Sequence, residues 1–270
     1  MTEELKQAGA PKTISFGKEA FEPTDKTTLR WLGNSGLLIN SRGTTILADP
    51  VLEGFDMPLL IDMPINASDI PSLDAVLITH EDNDHFSMDT LKKVDALKPE
   101  YHSPKHVADE FKKRLDIEAH GHDIGDSFKV NDLEITLTPA DHAWQNDTTK
   151  FSRVFQFEDC CGFWIETADG SLWITGDSRL LPEHLEMPQP DAILFDFSDN
   201  SWHIGLDNAI KLANTYPNAD LILCHWGTVD APTMDPFNAD PKDLMDTVVN
   251  PERIHVLAAG EPVDLVRKNN

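Results

Sequence analysis

Six consecutive residues carry much of the chemistry that this chain can perform: His80-Glu81-Asp82-Asn83-Asp84-His85. They directly follow the apolar run Ala75-Val76-Leu77-Ile78-Thr79, which predicts a buried strand. Imidazole nitrogens and carboxylate oxygens are the usual ligands of hydrolytic divalent metal centres. The pattern His-x-acid-x-acid-His arises by chance in about one chain of this length in a hundred. This loop therefore predicts a metal site.

Other strands are predicted to end in the same way, with a metal-competent side chain just beyond the last apolar residue. These side chains are Asp49 after Ile46–Ala48, His142 after Ile135–Thr138, Asp177 after Leu172–Thr175 and His225 after Leu221–Cys224. Gly176 is expected to let the backbone turn sharply before Asp177. Because chemistry gathers at strand ends in layered folds, we expect these side chains to share one rim.

The elements that must position these residues are mostly short strands with a few helices. Strands are predicted at 28–32, 36–39, 44–48, 75–79, 127–130, 134–138, 154–157, 163–167, 172–175, 192–195, 221–224 and 254–258. Helices are predicted from Ser87 through 88–94, from Pro104 with Val107, Phe111 and Leu115 on one face, at 206–216 and at 241–249. The pattern favours a layered α/β (α+β) sandwich.

Length and the absence of a linker indicate one domain at residues 26–270, preceded by an N-terminal arm at 1–25 without a clear period. No apolar run is long enough to span a membrane, and the polar start does not resemble a secretory signal. Three cysteines without framework spacing (Cys160, Cys161 and Cys224) predict ordinary thiols and a cytoplasmic protein.

The formal net charge is −25. Such a field repels polyanions, so we expect no nucleic-acid partner. A small anionic substrate stays compatible with the charge, because bound metal ions invert the local potential.

Roughly residues 28 to 260 resemble the metallo-β-lactamase superfamily, because the motifs follow one another along the chain in the order typical of that superfamily. The resemblance implies a four-layer αββα sandwich and a metal-dependent hydrolase. Pro139-Ala140-Asp141-His142-Ala143-Trp144 and His225-Trp226-Gly227-Thr228 look most like the branch of L-ascorbate-6-phosphate lactonase and the N-acyl-phosphatidylethanolamine phospholipase D type enzymes. This branch suggests a lactone, such as a sugar-phosphate lactone, or a phosphodiester as the substrate.

The resemblance also implies the ligands of two divalent ions. His80, the residue at position 82 and His142 would hold the first ion, Asp84, His85 and His225 the second, and Asp177 would bridge both, while Asp49 would orient a ligand imidazole. Position 82 is Asp where the family pattern has His. A carboxylate makes this site harder, which favours Mn²⁺, Fe²⁺ or Mg²⁺ over Zn²⁺ and leaves both one-ion and two-ion states open.

Two residues are predicted to move protons. Divalent metals lower the pKa of bound water toward neutrality, and Asp84 is placed to orient this water or take up its proton. His203, in a loop before a predicted helix, is the candidate for a substrate contact or for the acid that protonates the leaving group.

Alternatives stay open at this point. A non-hydrolytic metal-binding protein is suggested by Asp82, and the superfamily also includes RNA-processing nucleases, which the acidic charge disfavours. Di-iron redox chemistry would need a flavin partner domain. Members of the branch can be homo-oligomers, with the arm as a possible contact. The remaining histidines are interpreted as structural or surface residues: His102, His106, His120, His122, His184 and His255.

Overall fold

The computed structural model of the protein describes residues 7–268. Within them, strands numbered in chain order form two seven-stranded sheets. The first sheet has the order β14-β1-β2-β3-β4-β5-β6. Its strands are β1 (Thr27–Gly33), β2 (Gly36–Ser41), β3 (Thr44–Ala48), β4 (Ala75–Leu77), β5 (Glu100–Pro104), β6 (His120–His122) and β14 (Pro262–Asp264).

The second sheet has the order β13-β12-β11-β10-β9-β8-β7. Its strands are β7 (Ser127–Val130), β8 (Leu133–Pro139), β9 (Cys161–Thr167), β10 (Gly170–Ile174), β11 (Ala192–Asp196), β12 (Asp220–Cys224) and β13 (Ile254–His255). Both sheets are mixed: β3 to β6 pair in parallel, as do β10 to β13. Parallel neighbours put their carboxyl ends at one edge, and this edge carries the candidate ligands.

Helices cover the sheets on their outer faces. They are α1 (Met88–Val94), α2 (Lys105–Leu115), α3 (Leu206–Thr215) and α4 (Pro241–Met245). The α1 helix begins where Ser87 Oγ accepts a hydrogen bond from the Thr90 amide at 3.2 Å, as its sequence predicts. This layering of helices and two sheets agrees with the predicted αββα sandwich.

Alternation along β2 divides the core into two layers. Leu37 and Ile39 belong to the cluster between the sheets, which also contains Phe163 of the second sheet. Leu38, one residue away, points into the outer cluster that includes residues of α1 and α2. Because successive strand side chains face opposite sides, a strand covered on both faces is apolar throughout.

Three predicted elements need correction. Residues 154–157 form no strand: Val154 is 70% exposed, and Asn146 satisfies the backbone of Phe155 through its amide group, at 2.8 and 2.9 Å. The last predicted strand is only Ile254–His255, and the predicted helix at 241–249 ends at Met245. The strands β5, β6 and β14 were missed because they are short and their partners are distant in sequence.

The segment from residue 7 to residue 16 lies along the domain. Its backbone donates hydrogen bonds from Ala10 to Gly227 O, from Ile14 to Ala259 O and from Phe16 to Pro64 O. The predicted boundary at residue 25 stays a prediction. Among the helices of residues 7–268, none is long and apolar enough to cross a membrane.

Candidate metal centre

Residues that follow five different strands meet at one edge of the sandwich. The ligand atoms of Asp84, His85, Asp177 and His225 all lie within 4.8 Å of one another, and so do those of His80, His142 and Asp177. Asp177 belongs to both groups. We call His80 and His142, with Asp82 beside them, the first subsite, and Asp84, His85 and His225 the second subsite; Asp177 is shared.

The second subsite is the more enclosed one. His225 Nε2 lies 3.0 Å from Asp177 Oδ1, and His85 Nε2 lies 3.2 Å from Asp177 Oδ2. The two Nε2 atoms are 3.2 Å apart, and Asp84 Oδ2 is 3.9 Å from His85 Nε2. Four donor atoms from three loops therefore face one point.

The first subsite is arranged around Asp82. Its Oδ2 lies 3.5 Å from His80 Nε2 and 3.4 Å from His142 Nε2. Asp177 Oδ2 is 4.0 Å from His80 Nε2 and 3.8 Å from His142 Nε2. Asp82 therefore faces both imidazoles, as the position of a ligand requires, but its two oxygens also accept hydrogen bonds from neighbouring side chains that are described below.

Hydrogen bonds on the outer side fix the orientation of the imidazoles. His85 Nδ1 donates to Asp49 Oδ2 at 2.9 Å, and His142 Nδ1 donates to the Trp202 carbonyl at 2.8 Å. Thr79 donates to Asp49 with both its amide and its hydroxyl, at 2.8 and 2.7 Å, so that its hydroxyl oxygen accepts from His80 Nδ1 at 2.9 Å. Each Nε2 atom consequently turns a lone pair toward the centre.

The charges of the centre are strongly coupled. Burial opposes ionisation of Asp177, but the imidazoles of His225 and His85 outweigh it and hold the pKa of this carboxyl well below its usual range. Burial also opposes protonation of His225, yet the carboxylate of Asp177 raises the pKa of this imidazole to about 9. Burial lowers the pKa of His80, with the charge of His85 adding to it.

The donor set fits a divalent cation. His80 Nε2 is buried and finds no hydrogen-bond partner within residues 7–268. Nitrogen and carboxylate oxygen donors that converge without a bonded counterpart are a typical cation site, since a buried polar atom is costly when it stays unpaired. The same donor mixture suits Zn²⁺, Mn²⁺ and Fe²⁺.

His203 lies beside the centre and is buried. Its Nε2 is 3.7 Å from Asp177 Oδ2, and its Nδ1 donates to Asp196 Oδ2 at 2.7 Å. The other Asp196 oxygen accepts from the Ser198 amide at 2.9 Å. The imidazole is thereby held with Nε2 toward the shared carboxylate.

A cavity of about 660 Å³ opens above both subsites. Asp82, Asp84, His142, Asp177 and His203 reach its floor. Aromatic side chains and one lysine form much of the wall: Phe55, Trp144, Phe151, Trp202, Phe237 and Lys150. Within residues 7–268, no carboxylate lies within 4.0 Å of the Lys150 ammonium. The cavity combines aromatic walls with Lys150 and with the Arg114 guanidinium, which is paired with Glu81, near the candidate metal ligands.

Two residues of the β1–β2 turn contact the centre, although the sequence predicts only a turn there. Asn34 Nδ2 donates to the Asp84 carbonyl at 3.1 Å and to its carboxylate at 3.3 Å, while the Asn34 carbonyl accepts from the His225 amide at 3.1 Å. Ser35 Oγ lies 3.2 Å from His85 Nε2. An asparagine between glycines is an ordinary turn signal, so only the fold reveals this contact.

Backbone strain marks the same edge. Asp49 and His225 both adopt left-handed conformations, with φ of 42° and 58°. Gly176 has φ of 64°, and a Cβ there would lie 2.4 Å from the Cys161 carbonyl oxygen. The predicted sharp turn before Asp177 is confirmed, because a residue with a side chain would clash at this position.

The other histidines lie outside the centre. His102 pairs with His122 at 3.0 Å between ring nitrogens, His184 Nε2 donates to the Pro139 carbonyl at 2.8 Å, and His255 contacts Asp220. All three cysteines are buried free thiols, as predicted for ordinary thiols.

Comparison with known proteins gives a consistent result. Residues 44–226 match the family described as the beta-lactamase superfamily domain. A UPF0173 metal-dependent hydrolase of Methanosarcina barkeri is 24% identical over 242 residues, which cover 88% of this chain and 98% of the relative. The N-acyl-phosphatidylethanolamine-hydrolyzing phospholipase D 1 of Caenorhabditis elegans is 23% identical and covers 82% of this chain, over 69% of its own length.

A solved structure with the same fold is Igni18, described as a novel metallo hydrolase from the archaeon Ignicoccus hospitalis. It aligns with a TM-score of 0.70 and 21% identity over 90% of this chain and 100% of its own. The region matched by the family covers more than half of the chain and contains Asp49 and all seven proposed ligands. The chain therefore belongs to the beta-lactamase superfamily domain family and has the metallo-β-lactamase fold.

Proposed function

We propose that this protein is a metal-dependent hydrolase of small, anionic molecules. The observation that carries the proposal is the convergence of two ligand groups on the shared carboxylate of Asp177 at the floor of a cavity. Names of relatives support it, since several are metal-dependent hydrolases. His80, Asp82, His142 and Asp177 would hold one ion, and Asp84, His85, His225 and Asp177 the other. A bound divalent cation activates water for attack and polarises the substrate oxygen.

Asp84 is placed to handle the proton of the attacking water. It reaches the cavity floor, and Asn34 Nδ2 holds its carboxylate at 3.3 Å. A fixed carboxylate at this place can orient water through a hydrogen bond and accept its proton during attack.

His203 is the proposed proton donor to the leaving group. Asp196 accepts the Nδ1 hydrogen at 2.7 Å, so the ring cannot turn and Nε2 stays on the cavity side. A second proton on Nε2 can then be delivered to an oxygen that departs from the substrate. Asp196 acts through His203 and is a positioning residue.

The cavity wall supports the choice of substrate. An anionic group can be bound by Lys150 at the wall, while aromatic side chains such as Trp202 cover the uncharged part. We propose a lactone, such as a sugar-phosphate lactone, as the first class to test and a phosphodiester as the second. The phospholipase D relative favours including phosphodiesters.

The test is an assay of the purified protein with Mn²⁺ or Zn²⁺ against a panel of lactones and a panel of phosphodiesters. We expect hydrolysis in one panel, loss of hydrolysis in His85→Ala, and retention in His255→Ala, which removes a histidine outside the centre. Activity that survives in a folded His85→Ala would contradict the proposed site.

Elemental analysis distinguishes the proposed hydrolase from a non-hydrolytic protein whose metal site is incomplete. The engagement of both Asp82 oxygens by Trp144 and Gln145 is the observation that favours this alternative. Less than one tightly bound transition metal per chain, together with inactivity on both panels, would support it.

A further inference from the structure

Asp82 is held by two side chains that belong to the wall of the cavity. Trp144 Nε1 donates to Asp82 Oδ2 at 2.6 Å, and Gln145 Nε2 donates to Asp82 Oδ1 at 2.8 Å. Both donors are consecutive residues of the short 3-10 helix Trp144–Asp147. We propose that Asp82, Trp144 and Gln145 form a link through which a cation in the first subsite fixes one wall of the substrate cavity.

The link acts on the oxygen that faces the first subsite. Oδ2 accepts from the Trp144 indole on one side and lies 3.4 to 3.5 Å from the Nε2 atoms of His142 and His80 on the other. The backbone of Asp82 is itself fixed, because its carbonyl accepts from the His85 and Phe86 amides at 2.9 and 2.7 Å. The two donors therefore decide where the carboxylate points.

Gln145 gives an independent indication of this role. It is 3% exposed, and its Oε1 atom has no hydrogen-bond partner within residues 7–268. A buried acceptor without a partner destabilises a fold, so an apolar residue would suit the same space better. The amide is explained by the hydrogen bond that its nitrogen donates to Asp82.

Trp144 connects the carboxylate to the cavity wall. Its ring lines the cavity and meets Phe151 edge-to-face with centroids 5.8 Å apart, and Phe151 meets Phe155 at 5.6 Å. A cation that binds Asp82 restrains Oδ2, Oδ2 restrains the indole, and the indole restrains this aromatic cluster. By reciprocity, an ordered wall strengthens cation binding by the same factor.

The family pattern has an imidazole at position 82, and this chain has a carboxylate. Only the carboxylate offers two oxygens, one for each of the neighbouring donors, while still facing His80 and His142. The substitution of Asp for His and the presence of Trp144 and Gln145 are thus explained together. This inference rests on the proposed metal site but not on any hydrolytic activity.

The test measures Mn²⁺ binding to metal-stripped protein by calorimetry. Trp144→Phe keeps an aromatic side chain in the cavity wall and removes the indole N–H. We expect the weaker of the two Mn²⁺-binding steps to lose about 10- to 100-fold in affinity, the usual effect of removing a hydrogen-bond partner of a metal ligand. Trp164→Phe is the matched control, since its indole N–H also donates to a carboxylate, that of Glu166 at 2.6 Å, but lies outside the cavity; both steps should stay unchanged.

Gln145→Met checks the second donor. We expect an unchanged or higher melting temperature with a weaker first-subsite affinity, a combination that general damage to the fold would not produce. In an Asp82→His background, the effect of Trp144→Phe on Mn²⁺ affinity should disappear, because the coupling is carried by the carboxylate.

Acrylamide quenching of tryptophan fluorescence reports on the wall directly. Zn²⁺ should reduce quenching in the wild type and leave Trp144→Phe unaffected. Equal Mn²⁺ affinities in Trp144→Phe and Trp164→Phe, or a single ion that is insensitive to both, would overturn the link. If Mn²⁺ affinity depends on Trp144 but no substrate is hydrolysed, the link would be supported and the proposed function contradicted.

Discussion

The two subsites of the centre are built by different parts of the molecule. The proposed ligands of the second subsite are tied to the buried core: His85 through Asp49, and the His225 backbone through the Asn34 carbonyl. In the first subsite, Asp82 is held by side chains of the loop after β8. One half of the centre is therefore prearranged by the fold, and the other half depends on a surface loop.

This difference predicts an order of binding. Prearranged ligands lose little conformational freedom when a cation binds, so the second subsite should fill first. Substrate binding should then affect the first subsite more strongly, because the loop forms the wall of the cavity.

The largest effect is expected from replacing Asp177, the carboxylate that both subsites share. Asp177→Ala removes the shared carboxylate from both subsites, so neither ion should be retained. Because metal activation contributes several kcal/mol to the transition state, kcat/KM should fall by about 10⁴-fold or more. Metal content after gel filtration and kcat/KM on the active panel check this, and retention of one ion by the variant would show that the subsites are independent.

A smaller loss of activity is expected from replacing Asp196, which lies outside both subsites and positions His203. Asp196→Asn should slow substrates with alkoxide leaving groups by about 10²-fold, a typical value for general acid catalysis, and hardly affect esters of 4-nitrophenol, whose leaving group needs no proton. Metal content should not change. Equal slowing of both substrates would assign Asp196 to the stability of the fold instead.

Asp49→Asn should weaken the second subsite more than the first, because Asp49 accepts from His85 directly and reaches His80 only through Thr79. Since Asp49 orients His85, Mn²⁺ affinity of the second subsite should fall by about 10- to 100-fold. Calorimetry of the variant would then show the stronger binding step approaching the weaker one. A change in the weaker step alone would reverse the assignment of the two steps.

A change of pH is expected to have the smallest and most gradual effect on stability and on cation affinity. The pKa of His225 is raised to about 9, so its proton stabilises the metal-free fold fully below pH 6.5, and this contribution is lost as the pH rises through 9. A cation competes with this proton, so its apparent affinity should rise about tenfold per pH unit below 9. Melting temperatures with and without Zn²⁺ should therefore diverge between pH 6.5 and 9, and a constant difference would contradict the role of His225 as a ligand.

The strand-end residues were predictable because their signal is local. An apolar run followed by His or Asp, as at Leu221–Cys224 and His225, identifies both the strand and the residue at its end. The order of these motifs then indicates the family, and the family places the strand ends at one edge.

Other parts of the centre depend on contacts that no local pattern encodes. Asn34 reaches Asp84 across 50 residues, and Gln145 reaches Asp82 across 63. Alternating apolar residues near Phe155 predict a strand, yet the side chain of Asn146 replaces the strand partner there. Tertiary contacts override propensity in such segments.

The left-handed backbone of Asp49 and His225 has a consequence for protein engineering. A non-glycine residue in this conformation destabilises the fold by about 1 kcal/mol or more. Glycine at either position would relieve the strain while deleting a side chain of the centre. Directed evolution for heat resistance alone would therefore tend to accept such replacements, and the gain in thermal tolerance would come with a trade-off in cation retention.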